Sequence, residues 1–517
     1  MERVLIANRG EIASRLAKTL KKMGFFTVGL TTNWDINLPY TETIDVVYHC
    51  PVDDPREVFT NPELLISVAK RTGCRHLHPG YGFLSESSDF AKSCEESGII
   101  FIGPSSDAIK SLGSKINLKK ICNEYGIPHL QEFSLNKDLP ENYFPIILKG
   151  SDTGGGRGMR IVQKKVDLEN AIRTAENELK TFGSSSLFAE PYLKDVKHIE
   201  IQVIVTKSGK VNTLIERDCS VQRKFQKVIE ETPSPGVDES LREKLLDTAR
   251  TVASSLKYAS IFTYEFLVSG KNFYLSEINT RLQVEHTITE ALYDIDLVEI
   301  QTKIALGSDQ VTEPTQKTAH AIQARVYAED VQSFTPSSGY APKIHFGVPP
   351  QRLEQTYRSG NFISPFYDSL IAKIIECGDR ETSVRNLKNV LMNLSVSGVK
   401  SNRNLLLWVL NNHKFLSGQY STNLLEYFIP LDETDFEETS VKQAQEHMGP
   451  EHKSPLLGTV SKIFASQSVQ KGQMVMLLES MKIQHPICAG ISGKLRIFVK
   501  EGDVVRPDQI LFTVEPD

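Results

Sequence analysis

The sequence has 517 residues, of which 40% are hydrophobic and 24% are charged, and its formal net charge is −5. This composition is typical of soluble globular proteins, and the acidic balance argues against a nucleic-acid-binding surface. No apolar run reaches the roughly 18 residues of a membrane span, and the length leaves room for about three or four domains.

The chain opens with a pattern typical of a parallel sheet. RVLIA favours a strand, EIASRLAKTLKKMG has helical spacing, and FFTVGLTT favours a second strand. This βαβ start predicts an α/β domain, which we place at residues 1–112. Because the first strand begins within the first few residues, we expect no signal or transit peptide and a cytoplasmic location. The 7 cysteines are scattered without C-x-x-C, which favours reduced thiols over disulfides or zinc.

The rest of the chain is predicted to divide into four segments. Residues 113–313 mix helices with hairpins, and residues 314–430 form another mixed α/β segment, so the fold class is α/β with α+β parts. Residues 431–453 are polar, begin with acidic residues and contain Gly-Pro, which predicts a linker. That linker would span roughly 25–30 Å as a flexible coil and about 75–80 Å when fully extended.

Residues 454–517 contain an internal repeat. GTVSKI recurs loosely as GISGKL, and VQKGQ recurs as VKEGD, which predicts a small flattened β-barrel with pseudo-two-fold symmetry. Lys482 lies between the two halves, at a predicted hairpin tip, with the apolar Met481 and Ile483 on either side. A solvated turn lysine is the ordinary interpretation, but this placement favours a modification site.

A glycine-rich loop lies between two predicted strands in FPIILKGSDTGGGRGMRIV. Its glycines are Gly154, Gly155, Gly156 and Gly158. Backbone N–H groups of such a loop can converge on an anion, and Lys149 and Arg157 add positive charge. The loop lacks the G-K-[ST] of a Walker motif and does not open a helix as a dinucleotide fingerprint does. We therefore predict a lid over nucleotide phosphates, with an ordinary surface loop as the alternative.

A carboxylate pair is predicted in FTYEFLVSGKNFYLSEINTRLQVEH. Two strands flank the turn Ser-Gly-Lys-Asn, so Glu265 and Glu277 should lie opposite each other. Two carboxylates on facing positions of neighbouring strands repel each other unless a hard cation such as magnesium binds between them. Asn279 offers a third oxygen ligand for such a cation. The alternative is one exposed and one hydrogen-bonded glutamate. Just downstream, Arg281 is suited to a carboxylate-like anion and Glu285 to the role of a base.

Together these motifs resemble the biotin carboxylase family of ATP-grasp enzymes, fused to a biotin carboxyl carrier domain. The resemblance is carried by IANRGEIA, HPGYGFLSE, FIGPS, LGSK, GGGRGMR, HIEIQV, ERDCSVQRKFQKVIEE, EINTRLQVEH and ARVYAED. The letters ESMKI resemble the biotinylation motif, so the resemblance implies biotin on Lys482. It also implies an ATP-grasp domain at 113–313, whose lid is the glycine loop, and a biotinyl domain at 454–517.

The resemblance also implies roles for individual residues. ATP would be bound by Lys115, Lys149, Gly155, Gly156, Glu190, Tyr192, Leu193, His198 and Gln222. Magnesium or manganese would be held by Glu265, Glu277 and Asn279. Bicarbonate would be surrounded by Lys227, Arg281, Gln283 and Val284. Glu285 would be the general base, and Arg325 would stabilise the enolate-like form of biotin.

The sequence departs from the family pattern at two places near the nucleotide. Phe225 stands where relatives often carry histidine or asparagine, and Pro191 stands where lysine is common. The segment 431–453 is also too short for the bridging domain of acyl-CoA carboxylases. No carboxyltransferase domain fits, so the resemblance implies a carboxyltransferase subunit on another chain, a biotin protein ligase as modifying partner, and a homo-oligomer.

The predicted activity is therefore ATP-dependent and bicarbonate-dependent carboxylation of biotin on the chain's own carrier domain. The acceptor is predicted to be acetyl-CoA or propionyl-CoA, with a two-subunit pyruvate carboxylase as the alternative. Two other classes stay open at this point. One is an ATP-grasp ligase with a lipoylated or unmodified tail, and the other is a degenerate binding protein, which Phe225 alone suggests.

Overall fold

A computed structural model describes residues 1–133, 135, 139–150, 159–181, 187–223, 225–311, 313–429, 451–464, 468–480, 483–506 and 509–515. Within those ranges, every helix is too short or too polar to serve as a membrane span. The described residues of the candidate site lie on the nine-stranded sheet, on a small three-stranded sheet, on one helix and on the loops between them.

The N-terminal segment is built around a five-stranded parallel sheet. Its elements are β1 (Arg3–Ile6), α1 (Gly10–Lys22), β2 (Phe26–Thr31), α2 (Pro39–Thr43), β3 (Val46–His49), α3 (Glu57–Thr60), α4 (Pro62–Arg71), β4 (His76–His78), α5 (Ser88–Glu96), β5 (Ile100–Phe101) and α6 (Ser106–Leu112). The strand order is β3-β2-β1-β4-β5. The predicted βαβ start is confirmed, because β1 pairs in parallel with both β2 and β4.

The middle segment follows. Its elements are α7 (Lys115–Glu124), β6 (Ile146–Gly150), β7 (Arg160–Val162), α8 (Leu168–Thr181), β8 (Leu187–Pro191), β9 (Lys197–Val205), β10 (Val211–Thr213), β11 (Arg217–Arg223), β12 (Gln226–Thr232), α9 (Glu239–Leu256), β13 (Ser260–Ser269), β14 (Asn272–Asn279), α10 (His286–Tyr293) and α11 (Leu297–Ala305). Strands β7, β6 and β8 form a small three-stranded sheet. Since β6 and β7 pair antiparallel, the glycine loop joins neighbouring strands as predicted, although residues 151–158 themselves lie outside the described residues.

The third segment adds strands to the sheet of the second. Its elements are β15 (His320–Tyr327), β16 (Gly339–Ala341), β17 (Lys343–Phe346), β18 (Arg352–Gln355), β19 (Asn361–Ile363), β20 (Leu370–Gly378), α12 (Arg380–Met392), β21 (Leu394–Ser397), α13 (Arg403–Asn411) and α14 (His413–Leu416). Strands β14-β13-β9-β11-β12-β15-β20-β18 form one path of a nine-stranded sheet, with β10 paired to β9. The pairing of β12 with β15 carries this sheet across the predicted boundary near residue 313.

The last segment contains two four-stranded sheets. Its strands are β22 (Glu451–Lys453), β23 (Gly458–Ile463), β24 (Ser468–Val469), β25 (Met474–Ser480), β26 (Ile483–Cys488), β27 (Gly493–Ile497), β28 (Val504–Val505) and β29 (Ile510–Glu515). The strand orders are β22-β29-β27-β24 in one sheet and β26-β25-β23-β28 in the other. Exchanging each strand of β22–β25 with its counterpart in β26–β29 converts one order into the other, as the predicted repeat requires. Gly472 and Gly502 occupy the same place in the two half-motifs, with φ of 83° and 91°, a backbone conformation that suits glycine.

The predicted linker needs one correction. Glu451–Lys453, assigned to the linker from the sequence, form β22 and pair with β29, so those residues belong to the sheet. The polar composition of these three residues is like that of a linker. They form a strand because they pair with β29, which lies far along the chain. Residues 430–450 lie outside the described residues.

Candidate active site

Charged side chains lie in a row across the middle of the nine-stranded sheet. Glu200 of β9 is opposite Glu265 of β13, and Glu265 is opposite Glu277 of β14, which confirms the predicted placement of that pair. Arg217 of β11 is the register partner of Glu200 on its other side. Three carboxylates in such a row are destabilising unless nearby cations or a bound metal compensate their charge.

Lys227 on β12 supplies that compensation at the centre of the row. Its ammonium group lies 2.8 Å from Glu200, 3.2 Å from Glu265 and 2.6 Å from Glu285. The fully buried Arg217 contacts Glu200 as well, and donates to Thr289 at 2.9 Å. Glu200 was missed by the sequence analysis, although it follows His198 by two residues in HIEIQV and therefore projects from the same face of β9.

Glu285 is held between two cations. Its Oε1 atom accepts from Lys227 at 2.6 Å, and its Oε2 atom accepts from Arg325 of β15 at 3.0 Å. Burial alone would raise the pKa of Glu285, but Lys227, Arg325 and Arg217 hold it well below its usual range. Arg325 also contacts Glu230, another residue that the sequence analysis missed. Glu285 is therefore a carboxylate in this arrangement, as a base must be before it accepts a proton.

The loop after β14 brings its alternate side chains to the same place. Asn279 donates to Glu265 at 2.8 Å, and Gln283 donates to the same carboxylate at 3.3 Å. Arg281 donates to Gln283 at 3.0 Å and to Asn279 at 3.2 Å. The structure thus gathers Asn279, Arg281, Gln283 and Glu285 beside Lys227, as the spacing of EINTRLQVEH suggested.

Two residues from distant parts of the chain fix this loop. Glu86, in HPGYGFLSE, accepts from Arg281 at 2.8 Å. Lys373 of β20 is fully buried and donates to the carbonyl of Val284 at 3.0 Å, with Glu11 at 3.2 Å from its ammonium. The sequence analysis quoted the motifs that contain Glu86 and Glu11 but assigned neither residue a role.

A second cluster lies beside the first, where α7, β6 and β8 meet. Lys149 and Lys119 each lie 2.7 Å from Glu190, and the pKa of Glu190 is lowered by these cations although burial opposes the shift. Lys115 lies 3.6 Å from Glu277, which links this cluster to the row on the sheet. A small cavity is lined by Lys115, Lys119, Lys149 and Glu190 together with Leu118, His129, Leu130, Leu275 and Ser276. Lys119 was missed because helical spacing alone does not show which lysine of α7 faces the cavity.

The other predicted nucleotide-binding residues lie outside the Glu190 cluster. His198 lies 3.0 Å from Glu265, and the side chain of Gln222 lies 3.5 Å from His198. Tyr192 and Leu193 are half-buried and follow directly after β8. Phe225 occupies the turn between β11 and β12 at φ 67° and is 37% exposed, so its ring is not part of the core.

The residues present fit a divalent cation bound by hard donors. Glu265, Glu277 and Asn279 are adjacent on β13 and β14 and offer oxygen ligands of the kind that magnesium and manganese prefer. Among the described residues, His198, Glu200 and Glu265 also bring their ligand atoms within 4.8 Å of one another. Glu277 is paired with Lys115 in this structure, so its assignment to the metal stays a prediction.

Three of the predicted site residues lie outside the described residues. They are Gly155, Gly156 and Lys482. For Lys482 the flanking structure is defined, since β25 and β26 pair antiparallel with Ser480 opposite Ile483. Lys482 itself lies outside the described residues, so its predicted position at a hairpin tip stays a prediction.

Comparison with known families matches four successive parts of the chain. The matching models are described as "Biotin carboxylase, N-terminal domain" at residues 1–109, "Carbamoyl-phosphate synthase L chain, ATP binding domain" at 119–311, "Biotin carboxylase C-terminal domain" at 323–427 and "Biotin-requiring enzyme" at 449–514. The biotin carboxylase of Haemophilus influenzae is 36% identical over 450 residues, which are 84% of this chain and 100% of that protein. The chain belongs to the biotin carboxylase family.

Other relatives of the chain include subunits of larger carboxylases. The alpha subunit of mitochondrial methylcrotonoyl-CoA carboxylase from Dictyostelium discoideum is 39% identical over 83% of this chain. The chain spans about three fifths of the length of such alpha subunits, 63% in that case. A crystal structure of a biotin carboxylase complex with β,γ-ATP from Campylobacter jejuni has 35% identity and a TM-score of 0.78, and it covers 82% of this chain and 98% of its own.

These matches support the cofactors that the sequence predicts. The ATP-binding match at 119–311 contains the lysines around Glu190, and the biotin-requiring match at 449–514 contains Lys482. ATP, biotin and magnesium therefore agree with the family, and the lysines around Glu190 lie next to the carboxylate row through the pair of Lys115 with Glu277.

The metal assignment can be tested by binding alone. Replacing Glu277 with glutamine keeps the side chain's size and removes one anionic ligand, so Mn²⁺ affinity in the presence of ADP should fall by about tenfold or more. Electron paramagnetic resonance of free Mn²⁺ measures this directly. Glu243→Gln, at an exposed position of α9, is the matched control and should leave binding unchanged. Equal Mn²⁺ affinity in both variants would exclude Glu277 as a ligand.

Proposed function

We propose that this chain carboxylates biotin attached to Lys482 of its own carrier domain, with ATP and bicarbonate as co-substrates. The observation that carries the proposal is the placement of Glu285 between Lys227 and Arg325, beside Arg281 and Gln283. A buried base surrounded by cations suits a small anionic substrate, because the cations can bind the anion while the base takes its proton.

Bicarbonate is a poor electrophile and needs activation by phosphoryl transfer, which depends on positioning and on charge neutralisation. Lys149 and Lys115 are proposed to bind the ATP phosphates, with the lid loop of Gly155 and Gly156 closing over them. The ammonium group of Lys149 is paired with Glu190 in this structure. A bound phosphate would either replace Glu190 at this ammonium group or contact it together with Glu190. Magnesium or manganese, held by Glu265, Glu277 and Asn279, would neutralise further phosphate charge.

Arg281, Gln283, Lys227 and the backbone of Val284 are proposed to surround bicarbonate. Arg281 presents a planar fork that matches a carboxylate-like anion, and Glu86 orients that fork from the opposite side. When bicarbonate takes up part of the charge of Lys227, the pKa of Glu285 rises, since Lys227 is its strongest attractive partner. Substrate binding would thereby make Glu285 a better base at the moment it is needed.

Arg325 is proposed to stabilise negative charge on the ureido oxygen of biotin. The pKa of Arg325 is raised well above its usual range by Glu230, Tyr327 and Glu285, although its own burial opposes this. The guanidinium is therefore a fixed cation that needs no reorganisation during the reaction. The phosphate released from activated bicarbonate would take the proton of the ureido nitrogen.

The acceptor is the least defined part of the proposal. Relatives that are alpha subunits of methylcrotonoyl-CoA carboxylase favour an acyl-CoA acceptor served by a carboxyltransferase on another chain. They do not support the predicted choice of acetyl-CoA or propionyl-CoA over a branched, unsaturated acyl-CoA. The match to biotin-requiring enzymes disfavours an unmodified tail, and the complete charge set around Glu285 disfavours a degenerate binding protein. The cytoplasmic location, the biotin protein ligase partner and the homo-oligomer stay predictions.

Lys482→Arg tests the attachment site. Arginine keeps the charge but lacks the primary amine that is acylated, so streptavidin labelling should be lost completely. Carboxylation of free biotin, followed with radiolabelled bicarbonate, should persist at the wild-type rate because the catalytic cluster is untouched. Lys471→Arg, exposed in the same domain, is the matched control. Streptavidin labelling of the Lys482 variant would contradict the assignment.

The electrostatic role of Lys227 predicts a change in pH dependence. A carboxyl group with a lowered pKa stays ionised until the pH falls below that pKa, so the wild-type acid limb for Glu285 should lie below about pH 4.5. Lys227→Met removes the nearest cation, so this pKa should rise and the acid limb of kcat/KM should move to higher pH, with reduced activity throughout. Rates are expressed per bicarbonate ion, because bicarbonate itself protonates in acid.

The control for that experiment is Lys207→Met, at an exposed turn after β9. Its acid limb should coincide with that of the wild type. An unshifted acid limb in Lys227→Met would mean that Glu285 does not limit the reaction, or that Lys227 does not govern its charge, and either result contradicts the proposed base.

The acceptor can be identified through the partner chain. Affinity purification of the full chain from its native source should recover a carboxyltransferase subunit. The pair is then assayed for bicarbonate incorporation into methylcrotonoyl-CoA, acetyl-CoA, propionyl-CoA and pyruvate. We expect at least about tenfold higher kcat/KM for one acyl-CoA than for pyruvate. Preferential carboxylation of pyruvate would favour the alternative enzyme class.

A further inference from the structure

An ion pair joins the carrier domain to the N-terminal segment. The Nη1 atom of Arg56 lies 2.7 Å from Oε1 of Glu479, although the two residues are 423 positions apart in the chain. Neither side chain is fully exposed, at 31% for Arg56 and 25% for Glu479. The pair is therefore partly shielded from solvent, where such a contact is worth more than at an open surface.

Arg56 is held in place for this contact before Glu479 arrives. Asp54 accepts from Nε of Arg56 at 3.0 Å and from Nη2 at 2.7 Å, and it also accepts from the backbone N–H of Arg56 at 2.9 Å. The Nε and Nη2 edge of the guanidinium is thus occupied, and Nη1 points to Glu479. A fixed fork loses little side-chain entropy when it binds a carboxylate, which favours recognition by this residue.

Glu479 lies close to the attachment site in sequence and in structure. It is on β25, paired with Gln484 of β26, and Lys482 follows it by three positions in the chain. Its neighbours Leu478 and Ser480 are buried, so Glu479 faces outward from the carrier domain. The backbone from Glu479 to Lys482 is at most about 10 Å long. A contact at Glu479 therefore keeps the attachment lysine close to the N-terminal segment.

The segment that holds Arg56 packs near the loop that contacts Arg281. Tyr367 donates to the carbonyl of Pro55 at 2.9 Å, and its ring lies 6.4 Å from that of Phe83. Phe83 belongs to HPGYGFLSE, whose Glu86 accepts from Arg281 at 2.8 Å. These contacts involve the backbone of Pro55 and not the guanidinium of Arg56, so a change of the Arg56 side chain leaves them in place.

We propose that Arg56, oriented by Asp54, is the docking residue by which this chain receives its own carrier domain, through Glu479 beside the biotinylated lysine. The proposal rests on the proposed function and adds the surface by which the carrier domain is recognised. Free biotin has no Glu479, so the contact raises the rate with the carrier-linked substrate and leaves the chemistry with free biotin unaffected. Arg56 is a positioning residue and touches none of the reacting atoms.

The test compares two substrates in the full-length chain. Arg56→Glu places a third negative charge beside Asp54 and Glu479, so the single-turnover rate of label transfer from bicarbonate to protein-bound biotin should fall about tenfold. Carboxylation of free biotin, measured in a Lys482→Arg background, should stay at the parent rate. Added salt should slow the wild-type carrier reaction and have little effect on the Arg56→Glu variant.

A charge-exchange variant and a matched control show whether the loss is specific to the Arg56–Glu479 pair. The double variant Arg56→Glu with Glu479→Arg should recover most of the lost carrier rate, after correction for biotin occupancy by intact mass. Arg71→Glu, exposed at the end of α4, should behave as wild type. If the wild type carboxylates both substrates and Arg56→Glu does so equally well, the docking inference is overturned. If the wild type carboxylates neither, the proposed function itself fails.

Cross-linking provides a measurement that does not depend on activity. Glu57→Cys and Gln484→Cys, which lie next to Arg56 in the chain and opposite Glu479 in the hairpin, leave the ion pair in place. This double variant, in a chain whose native Cys50 and Cys488 are replaced by serine, is treated with a short bismaleimide. We expect a cross-linked peptide within one chain. A cross-link found only between two chains would mean that a second copy's carrier domain docks here, and the absence of any cross-link would overturn the contact.

Discussion

The ammonium group of Lys227 is the interaction on which the charged interior of this protein depends. Glu200, Glu265 and Glu285 come from two strands and a loop, and each lies within 3.2 Å of it. Three carboxylates at this spacing would repel one another strongly inside a sheet, where the dielectric is low. The cation offsets that repulsion, so the sheet can hold the proposed base, a prospective metal ligand and Glu200 in the same small volume.

The same cluster contains residues from both the middle and the third segment, which form one sheet. Lys227 and Glu230 lie on β12, and Arg325 lies on β15, which pairs directly with β12. The Arg325 contacts to Glu230 and Glu285 therefore need no movement between segments. A predicted boundary near residue 313 divides the chain in sequence, but the reacting groups on either side of it are fixed by backbone hydrogen bonds.

Local patterns predicted the features that short-range geometry determines. The turn between β13 and β14 pairs Ser269 with Asn272, and a one-residue shift of register between Glu265 and Phe266 then places Glu265 opposite Glu277. The sequence predicted that pair but not the shift, and it predicted the charged residues Arg281 and Glu285 just downstream. Glu200, Lys119 and Glu86 could not be assigned in this way, because their partners come from strands and helices far away in the chain. The strand Glu451–Lys453 was missed for the same reason, since its hydrogen bonds go to β29.

The small sheet β7-β6-β8 has a consequence for any ligand that contacts both Lys149 and the carboxylate row. In the described part of the chain it shares no strand with the nine-stranded sheet, so Lys149 and Lys227 lie on different sheets. The links between the sheets include backbone hydrogen bonds from Leu275 to Pro128 and from Phe133 to Ala189, and the ion pair of Lys115 with Glu277. A polyanion that met Lys149 and the carboxylate row at once, as proposed for ATP with its metal, would therefore brace two sheets that no strand pair joins among the described residues.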